Sequence, residues 1–144
     1  AVLVASAGQV QAGIIAGVTA TSSQGTHGSY SLPNLTNGVG LTPSISTTAT
    51  HSVLPGEDKW LSDVGGVVGN LIFDLGGTYS LSDIAIWQFN HIDPNALQLG
   101  VKDFTLESST NGISFTPLLG TTTTDRRFNA RFYLSSRARL TLLR

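Results

Sequence analysis

Polar side chains that can donate and accept hydrogen bonds are concentrated in one short segment of the sequence. Gln88, Asn90, His91 and Asp93 lie within six residues of one another. Amide side chains both donate and accept hydrogen bonds, and a carboxylate accepts them. Such a cluster can hold the hydroxyl groups of a carbohydrate. The alternative is turn chemistry, because Asp93-Pro94-Asn95 makes a good turn by itself.

Two tryptophans are candidates for stacking against the apolar face of a sugar ring. Trp60 lies among polar neighbours, so ligand contact and a place at the base of a loop both stay open. Trp87 alternates with Ala85 and Phe89, which favours a position in the core. We therefore predict ligand contacts for Trp60, Gln88, Asn90, His91 and Asp93.

Catalytic signatures are missing from the sequence. It contains no GxSxG, HExxH or Walker-type run. Glu57-Asp58 and Asp93 could form a carboxylate pair, but no pattern sets the separation across a cleft that glycoside hydrolysis needs. The three scattered histidines, without any cysteine, do not make a zinc pattern. We predict a binding module and not an enzyme.

Composition indicates one β-rich domain with long polar loops. The 144 residues suffice for a single hydrophobic core, and the absence of cysteine excludes disulfides. Charged residues make up 12% of the chain, about half the usual share. Residues 24–52 are rich in Gly, Ser, Thr, Asn and Pro, and loops of that length tend to be functional. This composition is typical of proteins outside the cell.

Basic residues are concentrated near the C-terminal end. Residues 126–144 carry six arginines and no acid, whereas residues 1–125 carry two lysines and all nine acids. Apolar residues are interleaved with the arginines, which favours a strand with one solvated face over a tail that binds nucleic acid. We predict no nucleic-acid partner.

The N-terminal segment is short, apolar and rich in small residues. Val10-Gln11-Ala12 fits the positions that signal peptidase reads, so we predict that residues 1–12 are the remnant of a signal peptide. The alternative is an ordinary N-terminal strand. Two glutamines and the short length argue against a membrane span. We therefore predict a secreted single domain over residues 13–144, without membrane insertion.

Alternation of apolar and polar residues predicts many strands and few or no helices. The strongest signal is residues 104–118, where two half-buried strands are joined by an Asn111-Gly112 turn and Ile113 and Phe115 return to the core face. Further strands are predicted at residues 15–21, 71–75, 83–89, 128–134 and 137–143. Short strands separated by turns are typical of a sandwich or barrel.

The order of several motifs resembles the discoidin family, the F5/8 type C domains. These motifs are GVTATSS, LTNG, IFDLGGTYSLSDIAIWQFN and VKDFTLESSTNGISFTPL, and they cover roughly residues 15–125. The resemblance implies an all-β jelly-roll β-sandwich, galactose-binding domain-like. The stretches NGVGL, TATH and FDLGG are similar to a bacterial subset of secreted proteins with a PEP-CTERM sorting tail. Family members usually end with a further strand, so the resemblance also implies a truncated or altered C-terminal end.

The resemblance further implies a metal site in the first long loop. Related domains hold a structural calcium there, and the matching residues are Asn34 and Asn37. An amide oxygen can bind calcium but brings no charge. The alternative is an Asx turn at Asn37-Gly38. Calcium is thus a predicted but not a required cofactor.

Two functions follow from the resemblance. The first is a secreted bacterial module that binds carbohydrate or extracellular polysaccharide through loops at one end of the sandwich. The alternative is a structural or adhesive module of a cell-surface or extracellular matrix protein, with no small-molecule ligand. Phospholipid binding is disfavoured, since it needs apolar loop tips beside basic residues and these loops are poor in both.

Overall fold

The computed structural model describes residues 15–43, 49–54, 56–63, 69–77, 85–87, 89–101, 103–123, 130–131 and 137–143. The predicted signal-peptide remnant, residues 1–12, lies outside the described residues, as does Gln88.

The main sheet is antiparallel and has the strand order β1-β4-β9-β6-β7. Two short antiparallel pairs, β2-β3 and β5-β8, accompany it. The strands are β1 Thr19–Ser22, β2 Leu41–Thr42, β3 Thr50–His51, β4 Gly69–Asp74, β5 Ala85–Ile86, β6 Asp103–Ser108, β7 Thr116–Thr123, β8 Ala130–Arg131 and β9 Arg137–Leu143. The helices of the described part are two 3-10 turns, Leu32–Leu35 and Pro94–Leu99. The prediction of an all-β protein is therefore confirmed.

The core lies on the face of the sheet to which β4 and β6 direct their apolar side chains. Leu71, Phe104 and Leu106 form a buried cluster. Phe104 and Leu106 alternate with Thr105 along β6, so their side chains lie together on the inward face. The strand β6 pairs with β9 on one side and with β7 on the other. Partly buried side chains pack around this cluster, namely Leu32, Leu35, Trp60, Phe73, Ile86, Val101 and Leu118.

The arginine-containing segment near the C-terminal end is a central strand. β9 runs between β4 and β6, in agreement with the strand predicted at residues 137–143. Its register places Arg137 opposite Asp74 and Arg139 opposite Glu107. The register thus accounts for two of the arginines as parts of the sheet.

The predicted tight turn at Asn111-Gly112 is wrong in detail. The strands β6 and β7 do pair, but residues 109–115 form a longer loop and Ile113 is 85% exposed. Asn111 Oδ1 accepts hydrogen bonds from the backbone N–H groups of Ile113 and Ser114, at 2.9 Å each. Ser109 Oγ accepts one from the N–H of Gly112 at 2.8 Å. These side chains satisfy the backbone within the loop, so the strand resumes only at Thr116.

The strand predicted at residues 83–89 lies only partly within the described residues, since residues 83, 84 and 88 are outside them. Within the described residues only Ala85–Ile86 is a strand, paired with β8. Next to this strand, the indole N–H of Trp87 donates to the carbonyl of Ala49 at 2.9 Å. This side-chain bond joins the end of β5 to the residue that precedes β3.

Leu106 and Ile113 hold equivalent positions in the alternating sequence pattern, but Leu106 is buried and Ile113 is exposed. We expect Leu106→Ala to lower the free energy of unfolding by about 3 kcal/mol, because it opens a cavity in a fully buried cluster. Ile113→Ala should change it by less than about 0.5 kcal/mol, because that side chain faces water. Urea unfolding of both variants measures the difference, and equal losses would contradict the assigned loop.

Candidate functional site

The loop after β5 is fastened to β3 by side chains that donate to backbone carbonyls. Asn90 Nδ2 donates to the carbonyl of His51 at 3.0 Å, next to the bond between Trp87 and Ala49. These two bonds fix Trp87 and Asn90 against residues 49–51. One of the predicted ligand residues, Asn90, therefore has one amide N–H in a structural bond, which leaves its oxygen and its second N–H for a ligand.

The segment that follows brings two more predicted residues together. His91 Nδ1 accepts a hydrogen bond from the backbone N–H of Asp93 at 3.0 Å. The neutral His91 ring therefore carries its proton on Nε2, which is a donor. The same ring stacks on Phe89, with centroids 6.1 Å apart and planes inclined by 9°. Stacking and the hydrogen bond together fix the orientation of the imidazole.

Asp93 immediately precedes the second 3-10 helix and caps its start. Its Oδ1 accepts from the backbone N–H of Asn95 at 2.9 Å and from Asn95 Nδ2 at 3.1 Å, and its carbonyl accepts from the N–H of Ala96 at 3.0 Å. The turn chemistry that the sequence left open is thus present. In the described part of the chain these bonds engage only one carboxylate oxygen, and Asp93 is exposed. The second oxygen can accept a hydrogen bond from a ligand hydroxyl without loss of the turn.

The structure places Trp60 beside a different loop. Its Nε1 donates to Thr26 Oγ1 at 3.3 Å, and the half-buried ring packs against the core cluster. Near it, the backbone N–H of His27 donates to the carbonyl of Leu61 at 2.9 Å, and the rings of His27 and Tyr30 lie 6.3 Å apart. Trp60 thus forms the base of the loop after β1, and only part of its ring can meet a ligand.

Sequence reasoning missed an apolar side chain within the polar cluster. Ile92, between His91 and Asp93, is 67% exposed. An exposed aliphatic side chain beside hydrogen-bonding groups matches the mixed surface of a sugar, which has both C–H groups and hydroxyls. The signal was the unbroken order Asn-His-Ile-Asp just after a strand, in which Ile92 has no apolar partner at strand spacing.

The two asparagines predicted to bind calcium are bonded to each other and to the backbone. Asn34 Nδ2 donates to the carbonyls of Glu57 and Lys59, the latter at 3.0 Å. Asn37 Nδ2 donates to Asn34 Oδ1 at 3.1 Å, and Asn37 Oδ1 accepts from the N–H of Val39 at 2.9 Å. The Asx turn that the sequence left open is therefore present.

This donor set does not fit calcium as it stands. Calcium requires six to eight oxygen ligands. Asn34 turns its nitrogen toward the available carbonyls, and the amide oxygens of Asn34 and Asn37 each accept an N–H. No group of three or more His, Asp or Glu side chains able to hold a metal occurs within the described ranges. The assignment of Asn34 and Asn37 as metal ligands stays a prediction.

An ion pair between the buried Lys59 and the partly buried Asp58 lies beside these asparagines, and the sequence pattern does not predict it. Lys59 is 2% exposed, and its ammonium donates to the carboxylate of Asp58 and, at 3.0 Å, to the carbonyl of Leu54. Partial burial by itself would raise the pKa of Asp58. The hydrogen bond and charge of Lys59, with smaller contributions from Ser52 and His51, outweigh it and hold that pKa below its ordinary value.

Comparison with solved structures identifies the fold. The chain is similar to a family 32 carbohydrate-binding module, CBM32-1 of a family 31 glycoside hydrolase from Clostridium perfringens, with a TM-score of 0.58, 9% identity, and coverage of 90% of this chain and 84% of that one. It is also similar to the module CBM32-2 bound to GalNAc, with a TM-score of 0.56, 14% identity, and coverage of 88% and 85%. A third similar structure is the family 32 module of C. perfringens NanJ in complex with galactose. Its TM-score is 0.53 and its identity 13%, and the match covers 88% of this chain and 82% of that one.

The chain has a discoidin-like, galactose-binding-like β-sandwich fold. The predicted fold class is therefore confirmed, while membership of the PEP-CTERM subset stays a prediction. No family model matches the sequence. No curated protein matches it either. The chain spans 54% of the length of the C-terminal domain of a chitobiase from Bacteroides fragilis, and 12% of a family 89 glycoside hydrolase from C. perfringens. Among the described residues, no helix is long and apolar enough to cross a membrane.

The ion pair makes stability depend on pH in a defined direction. Because the pKa of Asp58 is lowered in the folded state, its contribution is complete above the ordinary aspartate pKa and is lost as pH falls through the lowered value. We expect Asp58→Asn to lower the free energy of unfolding at neutral pH by roughly 3 kcal/mol, since it leaves the Lys59 ammonium without its counter-charge.

Urea unfolding of the unaltered chain and of Asp58→Asn between neutral pH and about pH 3 measures this contribution. The difference in free energy of unfolding between the unaltered chain and Asp58→Asn should narrow below about pH 4, because Asp58 becomes protonated there. Glu57→Gln, which changes an exposed neighbouring carboxylate, is the matched control and should have little effect. A gap that stays constant with pH would contradict the assigned role of the pair.

Proposed function

We propose that this domain is a non-catalytic carbohydrate-binding module, and that its ligand is a glycan or extracellular polysaccharide. The observation that carries the proposal is the shared sandwich fold, over 88% of this chain, with modules solved with galactose and with GalNAc. We propose further that the parent protein is a secreted bacterial protein, as the composition and the N-terminal segment predict. Catalysis forms no part of the proposal, because the sequence carries no GxSxG, HExxH or Walker-type run that would support it.

The proposed binding surface is the segment from Asn90 to Asp93, supported by β3. The Nε2–H of His91 would donate to a sugar oxygen, and the second carboxylate oxygen of Asp93 would accept from a hydroxyl. Ile92 would pack against the C–H groups of the ring. Asn90 would contribute its amide oxygen while its nitrogen holds β3 in place.

Two predicted ligand residues, Trp60 and Gln88, lie outside this segment. Trp60 is at the base of the loop after β1, and its contact with a ligand stays a prediction. Gln88 precedes Phe89 in the sequence, and its predicted role also stays a prediction. An open surface of a few polar groups and one aliphatic side chain is expected to bind a sugar weakly, with affinity near the millimolar end of the scale.

A second function, adhesion to another protein, is favoured by one observation. The ladder of β2 and β3 is continued by a bond from the N–H of Ser52 to the carbonyl of Gly40 at 2.7 Å, which aligns Val39 with Val53. Both valines and Leu54 are exposed, Leu54 at 63%. An exposed aliphatic surface of this kind suits a protein partner of an adhesive module. Glycan binding remains the first candidate because the fold likeness supports it independently.

The glycan proposal has a variant matched to the geometry. Asp93→Asn keeps the oxygen that accepts from Asn95 but replaces the second carboxylate oxygen and removes the charge. We expect sugar affinity to fall about tenfold, because a hydrogen bond to a charged group is lost. The melting temperature should hardly change, because the turn survives. Calorimetric titration with the best sugar from a glycan array measures the affinity.

Two further variants control the experiment. His91→Ala removes the proposed donor and should also weaken binding, whereas Ile113→Ala alters an exposed residue of another loop and should leave binding unchanged. If the folded, unaltered domain binds no glycan on the array or at millimolar sugar, the glycan proposal fails and adhesion becomes the better account. If Asp93→Asn and His91→Ala both bind normally, the ligand occupies another surface.

A further inference from the structure

We infer that the ammonium of Lys59 is the resident cation of the loop that the family resemblance assigns to calcium, and that this domain therefore needs no calcium to hold that loop. The inference concerns the organisation of the loops. It does not depend on the identity of the ligand that they bind.

Lys59 is a buried cation. Its side chain is almost fully removed from solvent, at 2% exposure. A buried ammonium is tolerated only where it is paired and hydrogen-bonded. Here a carboxylate and a carbonyl, those of Asp58 and Leu54, receive its protons. Mixed carboxylate and carbonyl oxygen is also the type of ligand that calcium selects.

Several chain segments converge on the ion pair of Lys59 and Asp58. The Lys59 ammonium donates to the carbonyl of Leu54, which lies three residues after the end of β3. Asp58 lies against Gly40, where an added Cβ would come within 2.9 Å of Asp58 Oδ2. Asn34 holds the backbone on both sides of Asp58 through the carbonyls of Glu57 and Lys59. The pair thus connects segments from three parts of the long polar loops, which is the structural task of a bound cation.

Gly40 indicates that this approach is built into the backbone. Its φ of +80° is a conformation that side chains other than glycine rarely adopt. The left-handed conformation and the lack of a Cβ both allow the Asp58 carboxylate to approach the β2 end. A glycine is required here for two independent reasons, as expected where two loops must meet closely.

The oxygen atoms around the ion pair already accept hydrogen bonds from the protein. The carbonyls of Glu57 and Lys59 accept from Asn34, and the carbonyl of Leu54 accepts from the ammonium. The amide oxygens of Asn34 and Asn37 also accept protein N–H groups. These oxygens are therefore paired without a metal. Moreover, the positive charge of Lys59 would repel a divalent cation at this place.

The consequence for function rests on the proposed glycan binding. Leu54 follows β3, and β3 carries the carbonyl that Asn90 holds. Lys59 therefore stabilises the scaffold on which the proposed sugar site rests. If the domain binds a glycan, the affinity should be the same in EDTA as in millimolar calcium.

Thermal unfolding of the purified chain in EDTA and in millimolar calcium tests the inference without reference to any sugar. We expect the same melting temperature in both, and no heat of calcium binding in a calorimetric titration. A melting temperature that rises with calcium and falls in EDTA would overturn the inference. This arm requires no variant, so it decides the matter even if a variant fails to fold.

Variants test the role of the ammonium itself. Lys59→Met keeps most of the aliphatic stem and removes the charge, and we expect its melting temperature to fall by about 10 °C because Asp58 is left partly buried and unpaired. Adding Asp58→Asn to Lys59→Met should recover part of that loss, since the unpaired charge is then removed. Glu57→Gln is the control and should leave the melting temperature unchanged.

The outcomes separate this inference from the proposed function. If Lys59→Met is as stable as the unaltered chain, the ammonium does not organise the loops and the inference fails. If no sugar binds under any condition but the melting temperature is independent of calcium, the glycan proposal fails and the inference stands. Sugar binding that requires calcium would overturn the inference alone.

Discussion

The structure depends on how the long loops satisfy their backbone carbonyls. These segments leave the ladders of the sheet, so their carbonyls need other donors, because an unpaired buried carbonyl is costly. Side chains supply those donors at several points. The amides of Asn34 and Asn90, the indole of Trp87 and the ammonium of Lys59 each donate to a carbonyl of a different segment. The bonds of Trp87 and Asn90 hold the loop that is proposed to bind a ligand, and the bond of Lys59 holds Leu54, which follows the supporting strand β3.

The strands could be predicted from the sequence because their signal is local. Alternation along β6 places Phe104 and Leu106 in the core, and β9 has the predicted bounds. The loop at residues 109–115 could not be predicted in the same way. Ile113 continues the alternating pattern in sequence, but the bonds made by Ser109 and Asn111 delay the next strand and leave Ile113 in water.

The site was only partly predictable, for a related reason. The sequence places Asn90, His91 and Asp93 together, and the structure adds a hydrogen bond between His91 and Asp93. It could not reveal that Asn90 also serves as a structural donor to His51, which is distant in sequence. Nor could it reveal the burial of Lys59, because a lysine beside an aspartate is usually a solvated pair. Long-range packing decides both roles.

The central claim is that residues 89–95, supported by residues 51–54, form the ligand surface. A titration of the isotopically labelled domain with galactose and GalNAc, followed by backbone amide NMR shifts, tests it most directly. The account predicts saturable shifts confined to these two segments and their contacts, with the loop at residues 109–115 unchanged. Absence of shifts at high millimolar sugar, or shifts centred on residues 109–115, would contradict it.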